Sequence, residues 1–265
     1  MARAAFSLVY LLCACFVTAL TMTVVHAKVP DQENYPPLPD VVLNNIPRIH
    51  WAFDAVEYIS LGLAVIFTIT LIFHRYRVIV VSRFSVIIGT VFFFRCITMW
   101  VTSLSVPGHH LACDQNQVNV SNTEEIFNHA WKITKGMGMA TQGVRTCGDY
   151  MFSGHTIVLT MLNCVINQYT PERWRGLHIG GYVLNLFGMF LILAAHEHYT
   201  IDVIIAFYIT NRMFDYYHML ADAKAGGNQG KDIYFSFFAF AYVEDGLLEV
   251  PNQYEWPWEP ILRFF

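Results

Sequence analysis

Ala5–Val25 reads AFSLVYLLCACFVTALTMTVV, 21 residues without a charge. A bilayer's hydrocarbon core is crossed by about 20 mostly apolar residues in a helix, so this stretch is long enough to span one. Backbone groups in hydrocarbon must satisfy one another, which leaves helices or closed barrels. Five further stretches repeat the pattern. Trp51–Phe73 carries only Asp54 and Glu57, near its start, and Phe84–Val106 holds one charge, Arg95, at its middle. Tyr150–Gln168 and Gly176–Ala195 hold no formal charge, while Tyr199–His218 holds Asp202, Arg212 and Asp215. The alternating strands of about 10 residues that build a membrane β-barrel are not seen. The expected fold is all-α: a polytopic membrane protein with six transmembrane helices.

Composition agrees. Of 265 residues, 55% are hydrophobic and only 14% charged, against about 25% charged in soluble chains. Mean hydropathy is +0.40. The net charge of −4 and the lack of any basic block exclude a nucleic-acid binder. Six Cys and eleven His are scattered without CxxC or zinc-type spacing.

Basic residues set the orientation. With a cytosolic N-terminus, that side holds nine: Arg3, Arg75, Arg77, Arg83, Arg173, Arg175, Lys224, Lys231 and Arg263. The other side holds five, Lys28, Arg48, Lys132, Lys135 and Arg145. Residues 1–27 then form a first transmembrane helix acting as signal anchor. A cleavable signal peptide is the rival, because Arg3, an apolar core and Val25-His26-Ala27 resemble one, but the usual core is about 7–15 residues. Residues 28–50 form a lumenal loop whose prolines (Pro30, Pro36, Pro37, Pro39, Pro47) are incompatible with helix. Residues 51–218 form a transmembrane bundle with a lumenal loop over 107–146, in which a helix is expected near Glu124–Lys135. Arg83 reads as a topology-setting loop charge. Residues 219–265 form a cytosolic tail whose apolar run Ile233–Val243 is too short to span and is expected to pack at the interface. Asn119-Val120-Ser121 is a glycosylation sequon on the lumenal side, or an unused triplet. Cys113 and Cys147 flank the same loop, where either a disulfide or free thiols are permitted.

Ionisable groups inside membrane segments are costly and so are functional candidates. They concentrate in two places: Cys147–Thr156 (CGDYMFSGHT) at the start of the fourth span, and His196–Asp202 (HEHYTID) at the start of the sixth. Both starts fall at the lumenal surface. His198 and Asp202 are four apart, which on a helix puts them on one face within reach. A carboxylate beside an imidazole orients it and stabilises its charged form, leaving the other nitrogen free as base or nucleophile. His155 supplies a second imidazole for acid–base work. Ser153 and the Gly154 backbone offer donors where a helix start favours phosphate. The competing readings are a plain ion pair and a zinc site, but there is no HExxH pattern and no metal or other cofactor is expected. Arg95 either binds lipid phosphate or pairs with a carboxylate between helices.

At these residues the chain resembles a known family. CGDYMFSGHT and HYTID…FYITNRMFDYYH are similar to the two signature motifs of sphingomyelin synthases. Pro37-Leu38-Pro39-Asp40 resembles that family's first short motif, and Arg83…Arg95…Thr102 another. Glu197, Phe207 and the run Val101–Gly108 resemble the sphingomyelin synthase-related, ceramide phosphoethanolamine-forming branch. The resemblance implies an active-site core like that of lipid phosphatases, with catalytic His155, His198 and Asp202 supported by Asp149 and Glu125. It implies ceramide and phosphatidylethanolamine, or phosphatidylcholine, as substrates, diacylglycerol as product, and the endoplasmic reticulum membrane, with Golgi or plasma membrane as alternatives. No C-terminal KDEL signal is seen. Ser82 departs from the family's usual Arg at that position. The SAM domain typical of the branch has no counterpart in these residues, so SAM-driven association is not expected, while homo-oligomers by other surfaces stay open. Lipid phosphatases have an Arg six residues before the HxxxD histidine; Ile192 stands there, which favours a phosphodiester substrate. A lipid hydrolase and a non-catalytic ceramide sensor are the alternative readings.

Overall fold

A computed structural model describes residues 2–26, 28–30, 34–108, 122–136, 138–139, 151–226, 239–246 and 250–256. Its elements are α1 (Ala2–His26), α2 (Val41–Asn45), α3 (Ala52–Phe73), α4 (Arg77–Val101), α5 (Thr123–Lys135), α6 (Gly154–Tyr169), α7 (Arg175–Ala194), α8 (Thr200–Ala225) and α9 (Phe240–Val243). No strand occurs among the described residues beyond one isolated bridge, His74 to Tyr254.

Four helices, α1, α3, α4 and α7, are long and apolar enough to cross a membrane, which makes this a multi-pass membrane protein. Their outward faces are apolar, as lipid requires: Leu61, Val65, Ile69 and Ile72 on α3, and Ile179, Val183, Leu186 and Phe190 on α7, are exposed. The other two expected spans do not meet the same measure. α6 has 16 residues, and α8 carries Asp202, Arg212, Asp215, Asp222 and Lys224. α6 packs on α3, α4, α7 and α8, and its residues Ile157, Leu159, Met161, Val165 and Ile166 are fully buried. A helix enclosed by protein is relieved of meeting lipid with an apolar surface.

Three expectations need correction. The Pro-rich loop does contain a helix. α2 fits in the five residues between Asp40 and Ile46, where no proline intervenes, and Asp40 caps it through Val42 N (2.9 Å) and Leu43 N (3.2 Å). Arg83 is a helical residue, not a loop charge, because α4 begins at Arg77. Its guanidinium is buried and makes two 2.8 Å bonds to the Glu244 carboxylate, which pair the charge inside the protein. α8 continues past His218 to Ala225, and the tail returns to the core, where Phe240 and Val243 are buried. The helix expected near Glu124–Lys135 is α5, which packs on α1 through Phe16 against Phe127 and Trp131.

Candidate active site

The starts of α3, α6 and α8 meet the ends of α4 and α7 at one end of the bundle. Each contact there has a local cause. Ser153 caps α6, its Oγ accepting from Thr156 N–H (3.4 Å) and Thr156 Oγ1 (3.1 Å). Just before it, Phe152 has φ 67°, a conformation that strains an L residue and persists only where the surroundings enforce it. Arg95 does so: its buried Nε donates to Phe152 O at 2.8 Å. A Cβ at Gly154 would stand 3.3 Å from Arg95 Cζ, so the residue opening α6 must be small. Arg95 thus grips the backbone of the Ser-Gly-His turn, and Nη1 lies 3.7 Å from Met22 Sδ.

His155, in the first turn of α6, presents Nε2 at 3.7 Å from Glu57 Oε1 of α3. Phe53 packs edge-on against the imidazole, 4.7 Å between centroids. The Glu57 side chain is 1% exposed and that of His155 22%, so the carboxylate is shielded while the ring remains reachable. Sequence reasoning noted Glu57 only as a charge in a span. The signal that could have found it was the cost of a carboxylate set one turn inside an apolar helix.

His198 lies in the turn between α7 and α8 and is buried, 5% exposed. The helix-spacing argument therefore does not hold as stated, because α8 begins at Thr200 after an extended Tyr199 (φ −70°, ψ 154°). Asp202 sits in the first turn of α8, fully buried, near the backbone of Tyr199 and Phe152. The expected imidazole–carboxylate bond is not made: neither Asp202 oxygen has a hydrogen-bond partner among the described residues. A buried carboxylate without one is expensive, which keeps Asp202 a candidate functional group. His196, φ 58°, is the second strained residue, and its Nε2 donates to Ile46 O at 2.9 Å.

Glu125 is exposed on α5 and accepts a 2.9 Å bond from Asn122, the N-cap of that helix. Asp149, Asn119, Cys113 and Cys147 lie outside the described residues. The end of the bundle that holds His155, His198, Asp202 and Glu57 offers two imidazoles, each close in sequence or space to a buried carboxylate. Such an arrangement can move protons and attack an electrophile in a site partly closed to water.

The family model described as PAP2 superfamily C-terminal matches residues 146–219, the segment carrying both histidine motifs. Human sphingomyelin synthase-related protein 1 is 49% identical over 253 residues, 95% of this chain and 60% of its own. The Caenorhabditis elegans sphingomyelin synthase-related 1 is 54% identical over 210 residues, 79% and 43% of the two chains. Chicken phosphatidylcholine:ceramide cholinephosphotransferase 1 is 36% identical over 257 residues, 94% and 61%. The chain belongs to the sphingomyelin synthase family. It spans 43% to 61% of the length of these curated relatives. Arg95, Ser153 and Gly154 meet at the backbone on which His155 stands at the head of α6.

Proposed function

We propose that the chain transfers phosphoethanolamine from phosphatidylethanolamine to the primary hydroxyl of ceramide, releasing diacylglycerol. One observation carries this reading: His155 beside Glu57, and His198 beside Asp202 in sequence, are gathered at one end of a membrane bundle. The greater identity to the sphingomyelin synthase-related proteins than to the cholinephosphotransferase favours ethanolamine over choline.

The chemistry follows from the residues. An His198 nitrogen attacks phosphorus, forming an N–P bond as the P–O bond to diacylglycerol breaks. His155 gives its proton to the departing oxygen. Ceramide's hydroxyl then attacks the same phosphorus, His155 takes its proton, and the N–P bond breaks. Two easier displacements replace one hard one. Glu57 stabilises the protonated His155 and fixes its ring. Asp202 lends negative charge as His198 becomes positive. Burial of His198 keeps water from intercepting the transfer. α6 and α8 serve as the fifth and sixth spans, with the site facing the lumen of the endoplasmic reticulum.

The test is reconstitution of the chain in vesicles containing labelled ceramide with either phosphatidylethanolamine or phosphatidylcholine, and identification of the product. Ceramide phosphoethanolamine is expected. Sphingomyelin in its place would reassign the head group. Free phosphoethanolamine without ceramide consumption would make the chain a hydrolase.

A further inference from the structure

The turn that carries His198 is held from outside by a distant stretch of chain. Ile49 N–H donates to Ala194 O at 2.8 Å, and His196 Nε2 donates to Ile46 O at 2.9 Å. Farther along, Leu38 N–H donates to Tyr199 Oη at 3.1 Å. The strongest tie is Asp40: Oδ2 accepts from Thr200 N–H at 2.8 Å, and Oδ1 from Thr200 Oγ1 at 2.7 Å. The segment from Leu38 to Ile49 thus lies antiparallel along the turn from Ala194 to Thr200.

Capping of α2 does not account for this. The α2 cap uses Oδ1 alone, while Oδ2 is committed to α8. The first N–H groups of a helix lack partners within it, and a side chain at the N-cap normally serves one of them. Tyr199, the N-cap of α8, makes no such bond. The acceptor comes instead from Asp40, 160 residues earlier. The Tyr199 side chain points elsewhere, and its hydroxyl donates to Ser105 O at 3.0 Å and lies 3.1 Å from Ser105 Oγ. Burial pushes the Asp40 carboxyl up, but the bonds from Thr200, Leu43 and Val42 outweigh it and hold it below the ordinary 3.8. It is therefore charged across the neutral range, and a carboxylate at a helix N-terminus is favoured.

We propose that Asp40 is a positioning residue that clasps the segment 38–49 to the His198 turn and fixes His198 relative to Asp202 for head-group transfer. The proposal deepens the transferase reading and rests on it. Asp40 acts through Thr200, two residues from each of His198 and Asp202. Misplacement of a reacting group by about 1 Å can cost about 10²-fold in rate.

The experiment measures two things on the full chain in phosphatidylethanolamine–ceramide vesicles: kcat and KM for transfer, and the rate at which diethyl pyrocarbonate modifies His198, read by peptide mass. Asp40→Ala is expected to lower kcat about 10²-fold with KM within a factor of about three, and to raise His198 modification about tenfold. Thr200→Val removes one clasp bond while keeping the backbone N–H, and is expected to shift both readings the same way by less. It carries the test where Asp40→Ala does not fold. Asn45→Ala, which breaks only the Nδ2 bond to Val41 O inside α2, is expected to match the parent chain. Parent-like kcat and His198 reactivity in a folded Asp40 or Thr200 variant overturn the clasp. So does loss of activity with His198 reactivity unchanged. If the parent chain transfers no head group, the functional reading fails, and His198 reactivity alone decides the clasp.

Discussion

Glu57 is a carboxylate, 2% exposed, inside a helix whose other residues past the first turn are uncharged, and it faces the partly exposed imidazole of His155. A charge in that position is retained at a cost, and general acid–base work gives a reason for the cost. Glu57→Gln keeps the shape and removes the charge. It is expected to lower kcat about 10²-fold with little change in KM, in steady-state transfer assays. Full turnover in that variant would reduce the contact with His155 to packing. At this scale the sequence was legible where chemistry is compact. Ser153-Gly154-His155 and His198-Tyr199-Thr200-Ile201-Asp202 declare themselves by spacing. Glu57 and Asp40 do not, because their partners lie far along the chain and only the fold brings them together. The HxxxD spacing also misled: it suggested a helical pair, whereas the extended Tyr199 starts α8 after His198.

Among elements, hydropathy located α1, α3, α4 and α7 because lipid demands continuous apolar length. Their ends were less legible, since Arg77 and Arg83 look like loop charges until Glu244 is seen across from Arg83. The fit between α6 and α7 was not legible at all. A Cβ at Gly188 of α7 would stand 2.7 Å from Leu159 Cδ1 of α6, and one at Gly181 2.8 Å from Asn163 Oδ1. Small residues let helices approach closely where the hydrophobic effect cannot drive them together. α6 carries His155, so this approach bears on the site as well as on stability. Gly188→Val is expected to destabilise by about 1–3 kcal/mol and lower the thermal midpoint of the solubilised protein. A parent-like midpoint would mean that α7 shifts at no cost.

Across the whole molecule the two ends differ. One end holds the strained Phe152 and His196, the buried Glu57 and Asp202, and both His155 and His198. The other is closed by the returning tail, where Arg83 and Glu244 form a buried pair joined by Tyr217 Oη at 2.9 Å. Arg75 N–H to Gln253 O (2.8 Å) and Glu255 N–H to Phe73 O (2.9 Å) fasten the tail to the α3–α4 corner. The tail's attachment to the bundle was not legible because its anchoring residue, Glu244, looks like any surface acid at the end of an apolar run. Removing one partner of a buried pair strands the other charge, so Glu244→Ala is expected to cost about 3–5 kcal/mol, seen as a lowered unfolding midpoint and yield. An unchanged midpoint would show that the tail seals nothing. The proposed transfer is assigned to the opposite end, and there the decisive measurement is head-group transfer to labelled ceramide by the parent chain, His155→Ala and His198→Ala in matched vesicles. The account predicts ceramide phosphoethanolamine from the parent and a fall of at least about 10³-fold in each variant, as for residues acting as one unit. Undiminished product from either folded variant would contradict it.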